Sequence, residues 1–368
     1  MTKQYFLFAG GGTGGHIYPA VAVAEKLRQI RPDAKIHFFC SNRPVDSQIL
    51  SKANFEFTRL PAEGFSIRPT AFLKFVKTFF ESVKIAFRKI ERNDNTVIVG
   101  IGGFAAAPVC YAGHKKGIPV KLINVDIIPG KANKLIAKWA NEIFVQFEET
   151  AAYLKRHKHK IKVVGCPLRS SFDKANPQRG IEHLGLDKNK KILLITGASS
   201  GSQNINNTIC SLLGFLEKFA DKWQIAHLTG VANYEEVKNK YSNAKIKNKI
   251  ISYYDEMADL LAAADLVIGR SGAVSVAEYA AAATPSICMP YPFHKDMHQY
   301  LNAGKLVEAG AAIIVDDLRD AKDRADWLKD ELETLLQDDS QLSEMKQNCK
   351  NIARKDAARV IAEKLLRD

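Results

Sequence analysis

The sequence has few cysteines, no long apolar run and no low-complexity segment. Its six cysteines form no CxxC pair and have no histidine at zinc-finger spacing, which excludes the common zinc-finger and redox motifs. The apolar stretch near the start, Tyr5 to Ala9, is too short for a signal peptide or a membrane span. We therefore expect a cytosolic protein whose thiols are reduced.

The chain carries a large excess of positive charge. A formal net charge of +13 makes the surface attractive to nucleic acid, anionic lipid or phosphorylated substrates. The sequence contains no zinc finger, no RNP-type aromatic motif and no basic region followed by heptads. We therefore expect no nucleic-acid partner, and the other two classes of anion stay open.

Short apolar runs recur along the chain and alternate with helical patterns. Runs of this length and almost continuous apolar character are typical of strands buried on both faces of a parallel sheet. The alternation predicts α/β domains, and 368 residues are enough for two of them. The predicted strands are Tyr5–Ala9, Lys35–Cys40, Thr96–Gly100, Lys121–Val125, Ile143–Gln146, Lys191–Thr196, Asp265–Gly269 and Pro285–Pro290.

Four of the predicted strands run into a glycine turn that a helical pattern follows. Two turns lie in the first half of the chain, at 10–15 and 100–103, and two in the second, at 197–201 and 269–272. Such turns bring helix N-terminal amides to the crevice where open α/β sheets bind ligands. We predict two doubly wound, Rossmann-like domains that face each other across a cleft. Their predicted bounds are 1–164 and 165–345, with a final helix, 346–368, that returns to the first domain.

The first glycine turn ends in His16. A dinucleotide site would need an acidic residue at the end of the second strand, but that strand ends in Ser41 and Asn42, and the Gly-Lys-Ser/Thr of a P-loop is absent. With these two kinds of site excluded, the remaining interpretation is that the amides of the turn bind a diphosphate or sugar oxygens. His16 lies where a helix begins, so the helix dipole disfavours its protonated form. It is either a neutral catalytic base or a structural loop residue.

The segment Asp265 to Glu278 is the strongest local signal. A strand ends in glycine, a turn of small residues offers free amides, and the next helix carries Glu278 near its start. The amides suit a diphosphate, and the carboxylate either accepts hydrogen bonds from a ribose diol or only complements the helix dipole. Beyond the following strand, His298 and Asn302 share a helix face and Gln299 lies beside them. These polar side chains are suited to hydrogen bonding with sugar hydroxyls.

Taken together, these segments resemble glycosyltransferase family 28 over nearly the whole chain and in the same order. The matching motifs are Gly11–His16 with Pro19-Ala20, Gly100–Phe104, Arg270–Ala273 through Glu278, and His298-Gln299 with Asn302-Ala303. The resemblance implies the GT-B architecture. It also implies an inverting transfer of N-acetylglucosamine from UDP-GlcNAc to the 4-hydroxyl of the muramyl sugar of lipid I, giving lipid II in peptidoglycan synthesis. Such an enzyme would work as a peripheral protein on the cytoplasmic face of the plasma membrane.

The resemblance also implies roles for individual residues. The second domain would bind UDP-GlcNAc, with Tyr254 against uracil and Glu278 on ribose, and the loops of the first would hold the pyrophosphate of lipid I. The implied donor-binding residues are Thr13, Gly14, Asp126, Arg169, Ser199, Tyr254, Ser271, Gly272, Ala273, Ser275, Glu278, His298, Gln299 and Asn302. The implied acceptor-binding residues are Gly12, Gly15, His16, Gly102, Gly103 and Phe104.

Two segments depart from the family pattern. The third glycine loop, GGSQGA in the family, is Gly197–Ser202 here, and the family's HEQN run is replaced by Ile123–Asp126. Asp126 either holds a loop or serves as a base. The second departure leaves two alternatives open: transfer of another UDP-hexose to a different lipid such as diacylglycerol, and a catalytically weak UDP-sugar-binding membrane protein. A UDP-GlcNAc 2-epimerase shares the architecture but needs several paired acids, which we do not find in the sequence.

Inverting transfer needs a base for the acceptor proton and positive potential for the departing UDP. His16 is the first candidate base and Asp126 the second. Helix N-termini and Arg169 supply positive potential, and no DxD-type acidic pair ends a strand in either glycine-rich half. We therefore predict no metal site and no required cofactor.

Residues 68–90 predict an amphipathic helix with a basic side. Leu73, Phe80 and Phe87 widen its apolar arc beyond the stripe that core packing needs. The pattern is typical either of a core helix with a solvated basic face or of a helix that docks on anionic lipid. The predicted membrane residues are Phe72, Leu73, Phe79, Phe80, Phe87, Lys77, Lys84 and Arg88.

Overall fold

The computed structural model describes residues 4–65, 68–90, 95–198, 201–317 and 320–367. The chain forms two compact units. Unit 1 contains Met1–Ser170 and Arg354–Asp368, and unit 2 contains Ser171–Ala353. The predicted domain division after residue 164 lies close to the end of the first segment of unit 1.

Unit 1 is built on a parallel sheet. Its strands are β1 (Tyr5–Gly10), β2 (Lys35–Ser41), β3 (Glu56–Leu60), β4 (Thr96–Gly102), β5 (Val120–Asn124), β6 (Glu142–Val145) and β7 (Ile161–Val163). Its helices are α1 (Gly14–Ile30), α2 (Pro44–Lys52), α3 (Pro69–Lys89), α4 (Ala106–Lys115), α5 (Lys131–Ile136) and α6 (Thr150–Tyr153). The seven strands lie in the order β3-β2-β1-β4-β5-β6-β7.

Unit 2 repeats this plan. Its strands are β8 (Lys191–Thr196), β9 (Trp223–Leu228), β10 (Asn248–Ile251), β11 (Leu266–Gly269), β12 (Ser286–Cys288) and β13 (Ala312–Ile314), in the order β10-β9-β8-β11-β12-β13. Its helices are α7 (Pro177–Leu184), α8 (Gln203–Ser211), α9 (Leu213–Leu216), α10 (Tyr234–Lys240), α11 (Met257–Ala263), α12 (Ala273–Ala282), α13 (His298–Glu308), α14 (Ala321–Leu335) and α15 (Asp339–Ile352). The last helix, α16 (Ala357–Leu365), belongs to unit 1.

Strand order reverses at one point in each sheet. The reversal lies between β1 and β4 in unit 1 and between β8 and β11 in unit 2, and these are the four strands that the predicted glycine turns follow. The carboxyl ends of strands at such a switch point form the crevice where open α/β sheets bind ligands. The prediction of two doubly wound, Rossmann-like α/β domains is confirmed.

The central strands are apolar because helices cover both faces of each sheet. Strand β4 is buried along its whole length, and Phe8 of β1 stacks on Phe38 of β2 with ring centroids 5.1 Å apart. Strand β9 is equally buried, but it is not among the predicted strands because Gln224 and His227 interrupt its apolar pattern. Burial lowers the pKa of His227 to about 3, so this histidine is a neutral part of the core.

The single helix predicted over 346–368 is two helices in the structure. Helix α15 ends at Ile352, and the backbone is extended at Ala353 before α16 begins. The break follows from packing, because α15 lies against α12 in unit 2 whereas α16 lies against α1 in unit 1. One straight helix has no single apolar face that serves both partners.

Helix α3 packs in an unusual way. Its buried residues are the small Thr78, Ser82 and Ala86, whereas Leu73 is 69% exposed and Phe80 is 60% exposed. Phe72 and Phe87 are also exposed. Of the helices in the described parts of the chain, not one combines the length and the apolar character that a membrane-spanning segment needs.

Candidate active site

In unit 1 the two glycine turns meet at the switch point between β1 and β4. A Cβ at Gly103 would lie 2.2 Å from the carbonyl oxygen of Gly11, and Gly103 has φ +73°. The phenyl ring of Phe104 lies against Gly12, 3.3 Å from the place of a Cβ. The predicted acceptor loops therefore touch each other, and this close approach requires glycine at position 103.

His16 lies in the first turn of α1, beside these loops. Its Nδ1 is 3.0 Å from the hydroxyl oxygen of Thr13, and Gly102 lies against the edge of its ring. Burial lowers the pKa of His16 below its usual 6.5, and the carboxylates of Asp126 and Asp46 oppose that effect. The imidazole is therefore neutral near pH 7, as predicted from the helix dipole, but the main cause is burial.

Asp126 follows β5 and lies in a loop that two amide side chains fix. The side chain of Asn133 donates to Asn124 at 2.8 Å, and Asn124 in turn donates to the carbonyl of Asp126 at 2.7 Å. Asp126 is partly exposed and is the largest charge acting on His16. The carboxylate of Asp126 therefore lies close enough to act on the charge of His16, while the roles of both side chains stay predictions.

Two further residues of this site, Arg43 and Asp46, are not among the predicted ones. Both lie at the start of α2, where Asp46 accepts a hydrogen bond from the amide of Gly12 and Arg43 donates to the Gly12 carbonyl at 2.6 Å. The Arg43 guanidinium also lies 5.4 Å from the centre of the Phe104 ring. The peptide groups of Gly12 are therefore used inside the protein, which leaves Gly14 and Gly15, at the start of α1, as the amides for an anion.

Arg169 also belongs to unit 1. Its guanidinium lies over the ring of Tyr18 in α1, 4.4 Å from the ring centre. This cation–π contact holds the cation beside the helix that begins with the glycine turn.

In unit 2 the switch point is organised by a buried ionic network. Arg270, which follows β11, donates to Ser202 and to Asp317, both at 2.7 Å. Asp317 also accepts from Asn204 at 2.8 Å and lies 3.5 Å from Arg324. This network ties together the turns that follow β8, β11 and β13. None of its members is among the predicted site residues, although Arg270 belongs to one of the motifs that match the family.

The turn after β11 presents the predicted donor-binding residues. Gly272 precedes α12 and Ala273 begins it, so the first amides of the helix face outward from its N-terminus. Ser275 and Glu278 follow within the first two turns and are partly exposed. Ser271 is fully buried, and its hydroxyl donates to the carbonyl of Gln299 at 3.0 Å.

Helix α13 carries the three residues predicted to hydrogen-bond the sugar hydroxyls, and they differ in exposure. Asn302 is fully buried and donates to the carbonyl of Ser271 at 3.4 Å. Gln299 and His298 are partly exposed, and the His298 ring stacks on His294 with centroids 4.3 Å apart. Asn302 therefore supports the turn, whereas the other two can face a ligand.

The remaining predicted donor residues are Tyr254 and Ser199. Tyr254 is partly exposed, and its hydroxyl lies 3.3 Å from Nδ1 of His183. Ser199 lies outside the described residues. Within the described part of the chain, no group of three or more His, Cys, Asp or Glu side chains is placed to hold a metal ion.

Comparison with known families gives two matches that together cover most of the chain. Residues 6–145 match the glycosyltransferase family 28 N-terminal domain. Residues 192–362 match the glycosyltransferase family 28 C-terminal domain.

Curated relatives match over almost their full length. A protein of Caldanaerobacter subterraneus is 34% identical over 360 residues, 96% of each chain. One of Halothermothrix orenii is 34% identical over 360 residues, 95% of this chain and 94% of its own. Both are named UDP-N-acetylglucosamine–N-acetylmuramyl-(pentapeptide) pyrophosphoryl-undecaprenol N-acetylglucosamine transferase.

Solved structures agree in fold. Acinetobacter baumannii MurG superposes with a TM-score of 0.74 at 22% identity and covers 100% of both chains. The UDP-GlcNAc 2-epimerase of Neisseria meningitidis, bound to UDP-GlcNAc, superposes with a TM-score of 0.73 at 15% identity, over 99% of this chain and 100% of its own. At these identities the likeness concerns the fold alone.

Proposed function

The chain belongs to glycosyltransferase family 28, and from this premise we propose that it transfers N-acetylglucosamine from UDP-GlcNAc to lipid I. The product is lipid II, the disaccharide intermediate of peptidoglycan synthesis. The observation that carries this conclusion is the 34% identity, over 96% of each chain, to a relative with that name. The placement of His16 beside Asp126 supports it, because a glycosyl transfer needs a base at the acceptor hydroxyl.

The mechanism assigns one task to each unit. In unit 1, neutral His16 takes the proton of the muramyl 4-hydroxyl while the amides of Gly14 and Gly15 hold the acceptor pyrophosphate. In unit 2, the amides at the start of α12 hold the UDP diphosphate, and Glu278 accepts hydrogen bonds from the ribose diol. The acceptor oxygen attacks the anomeric carbon, and the bond to UDP breaks with its electron pair leaving on the phosphate.

We further propose that helix N-terminal amides and Arg169 offset the charge on departing UDP without a required metal or other cofactor. The test is transfer measured in the presence of EDTA. Retained turnover supports the proposal, and turnover that returns only on addition of Mg²⁺ or Mn²⁺ contradicts it.

UDP release by the purified protein tests the substrate pair. Turnover with UDP-GlcNAc and lipid I, and not with either alone, is the expected result. Turnover with UDP-glucose or UDP-galactose and diacylglycerol would instead assign a different lipid acceptor. UDP binding without turnover on any pair would indicate a UDP-sugar-binding membrane protein, and epimerisation of UDP-GlcNAc at C2 would indicate an epimerase.

We propose that the enzyme works at the cytoplasmic face of the plasma membrane and docks through α3. The exposed Leu73 and Phe80 on this helix offer an apolar surface, and Lys77, Lys84 and Arg88 are exposed nearby. Half-buried rings lie behind this surface: Phe79 contacts Tyr111 of α4 with ring centroids 6.4 Å apart, and Tyr111 contacts Trp139 at 5.3 Å. An apolar, aromatic surface edged with cations suits the interface of an anionic bilayer.

Replacing both Leu73 and Phe80 by Glu is expected to weaken binding to vesicles rich in phosphatidylglycerol by at least about 100-fold, because two large apolar side chains no longer enter the interface. Co-sedimentation with vesicles measures the effect. Val231→Glu is the matched control, since Val231 is a 77% exposed apolar residue of unit 2 and its change should leave vesicle binding as it is. Equal losses in both variants, or none in either, would contradict docking through α3.

A further inference from the structure

The start of α2 contains a buried carboxylate that the proposed mechanism does not use. Asp46 is 0% exposed, and its two oxygens accept the amide hydrogen of Gly12 at 3.0 and 2.8 Å. One oxygen also accepts from the amide of Ser41 at 3.1 Å and from the Ser41 hydroxyl at 2.5 Å. A carboxylate with this set of donors is held rigidly in place.

The glycine turn is shaped around this carboxylate. Gly11 has φ +135° and Gly12 has φ +96°, a region that favours glycine. A Cβ on Gly11 would lie 2.2 Å from Oδ2 of Asp46. With Arg43 bound to the carbonyl of Gly12, the first turn of α2 holds this peptide on both sides.

We propose that Asp46 is a positioning residue for the transfer reaction: through Gly12 it fixes the turn that carries Thr13, and the Thr13 hydroxyl orients the imidazole of His16. The inference rests on the proposed function, in which His16 is the base. Asp46 itself touches neither substrate.

The contact between Thr13 and His16 engages Nδ1, so the reacting nitrogen in the proposed mechanism is Nε2. For Nε2 to accept the proton of the acceptor hydroxyl, Nδ1 must carry hydrogen and donate it to Thr13 Oγ1, 3.0 Å away. The O–H bond of the acceptor then breaks, an Nε2–H bond forms, and the ring becomes an imidazolium. A displaced turn would turn the ring away from the acceptor, and an error of about 1 Å costs on the order of 100-fold in rate.

Asp46 also acts on this imidazolium electrostatically. Among the described residues, the charged groups that act on His16 are Asp126, from the loop after β5, and Asp46, from α2. Gly102 of β4 lies against the ring and Asn133 of α5 lies against Gly102, and both are uncharged. Burial lowers the pKa of His16, and these two carboxylates oppose that effect.

The test is Asp46→Asn, which keeps the shape of the side chain but removes its charge and presents a donor where only acceptors fit. We expect kcat to fall about 30- to 100-fold, with KM for UDP-GlcNAc within about two-fold of wild type because Glu278 and the start of α12, proposed to hold the nucleotide, are unchanged. In a titration of the histidine NMR signals, assigned with His16→Asn, the midpoint of His16 should move to lower pH by about 0.5. Asp33→Asn is the matched control, because Asp33 is an exposed partner of Arg31 just before β2, and it should change neither readout.

The titration needs no turnover, so it separates this inference from the proposed function. If the wild-type protein has no transferase activity, the proposed function is contradicted. The shift of the His16 midpoint in Asp46→Asn would still test the role of Asp46. If Asp46→Asn changes neither kcat nor the titration midpoint of His16, the inference is overturned. If kcat falls but the midpoint of His16 does not move, the inference is also overturned, because Asp46 is then a merely structural residue. Should Asp46→Asn fail to fold, Asp46→Glu takes its place. The longer side chain displaces Gly12 but keeps the charge, so kcat should fall while the titration midpoint of His16 stays unchanged. An unchanged kcat in Asp46→Glu would overturn the inference.

Discussion

Replacing His16 by Asn is expected to lower kcat for transfer from UDP-GlcNAc to lipid I by about 10²- to 10⁴-fold, the usual contribution of a positioned general base. The affinity for UDP should stay within about two-fold, because Glu278 and the amides at the start of α12, which are proposed to hold the ribose and the diphosphate, are unchanged. Burial is the main reason that His16 is a neutral base, since burial lowers its pKa below the usual 6.5. In the wild type, kcat should fall as pH drops through this lowered pKa, so activity should persist below pH 6.5. The His16→Asn variant should lose that acidic limb.

Glu278→Ala is the matched control for this prediction, because it removes a polar side chain from the proposed site in unit 2. Loss of charged hydrogen bonds to the ribose should weaken UDP binding by about 10- to 100-fold, and kcat at saturating UDP-GlcNAc should change little. Isothermal titration with UDP and steady-state kinetics measure the two effects separately. The reverse pattern, weaker UDP binding in His16→Asn and lost kcat with intact binding in Glu278→Ala, would reject both roles.

The sequence predicts those elements whose physical cause is local. Strands such as Thr96–Gly102 are buried on both faces, so their residues are continuously apolar and are recognised without knowledge of their neighbours. The glycine turns are equally visible, because their backbone geometry permits little else. Strand β9 is not predicted in this way, because it contains the polar Gln224 and His227. These two residues are buried, and their hydrogen-bond partners lie elsewhere in the sequence. Helix α3 is predicted, but which of its residues become fully buried is not, since these are the small Thr78, Ser82 and Ala86.

The supporting residues of the candidate site could not be predicted for the same reason. Asp46 binds Gly12, 34 positions earlier, and Asp317 binds Arg270, 47 positions earlier. Neither separation corresponds to a helix or strand period, so no local pattern connects the partners. Asp46 does carry a weak signal, an acidic residue in the first turn of a helix that follows β2, but this position alone is explained by the helix dipole.

The buried network of unit 2 leads to the largest expected effect on stability. Asp317 has a fully buried side chain, and it is the counterion of Arg270 and Arg324, whose side chains are only 10% and 5% exposed. Removing one partner of a buried ion pair leaves an uncompensated charge, which costs about 3–5 kcal/mol. Asp317→Ala leaves two guanidinium groups in this state, and it also removes the carboxylate that pairs with Arg270, which otherwise donates to Ser202 and to the carbonyls of Met289 and Pro290. Arg270 precedes the turn proposed to bind the UDP diphosphate.

Asp317→Ala is therefore expected to lower the unfolding temperature of unit 2 by about 10 °C, given the usual change of about 2–4 °C per kcal/mol for a unit of this size. UDP should bind more weakly as well, because Arg270, just before the Ser271 to Ala273 turn, loses its ion pair with Asp317. Calorimetry with and without UDP measures both effects. Asp339→Ala is the matched control in the same unit: Asp339 pairs with Lys191 at the surface, with 69% of its side chain exposed, and solvent screening should leave its variant close to wild type. Similar unfolding temperatures for the two variants would mean that the network around Arg270 contributes no more than a surface ion pair.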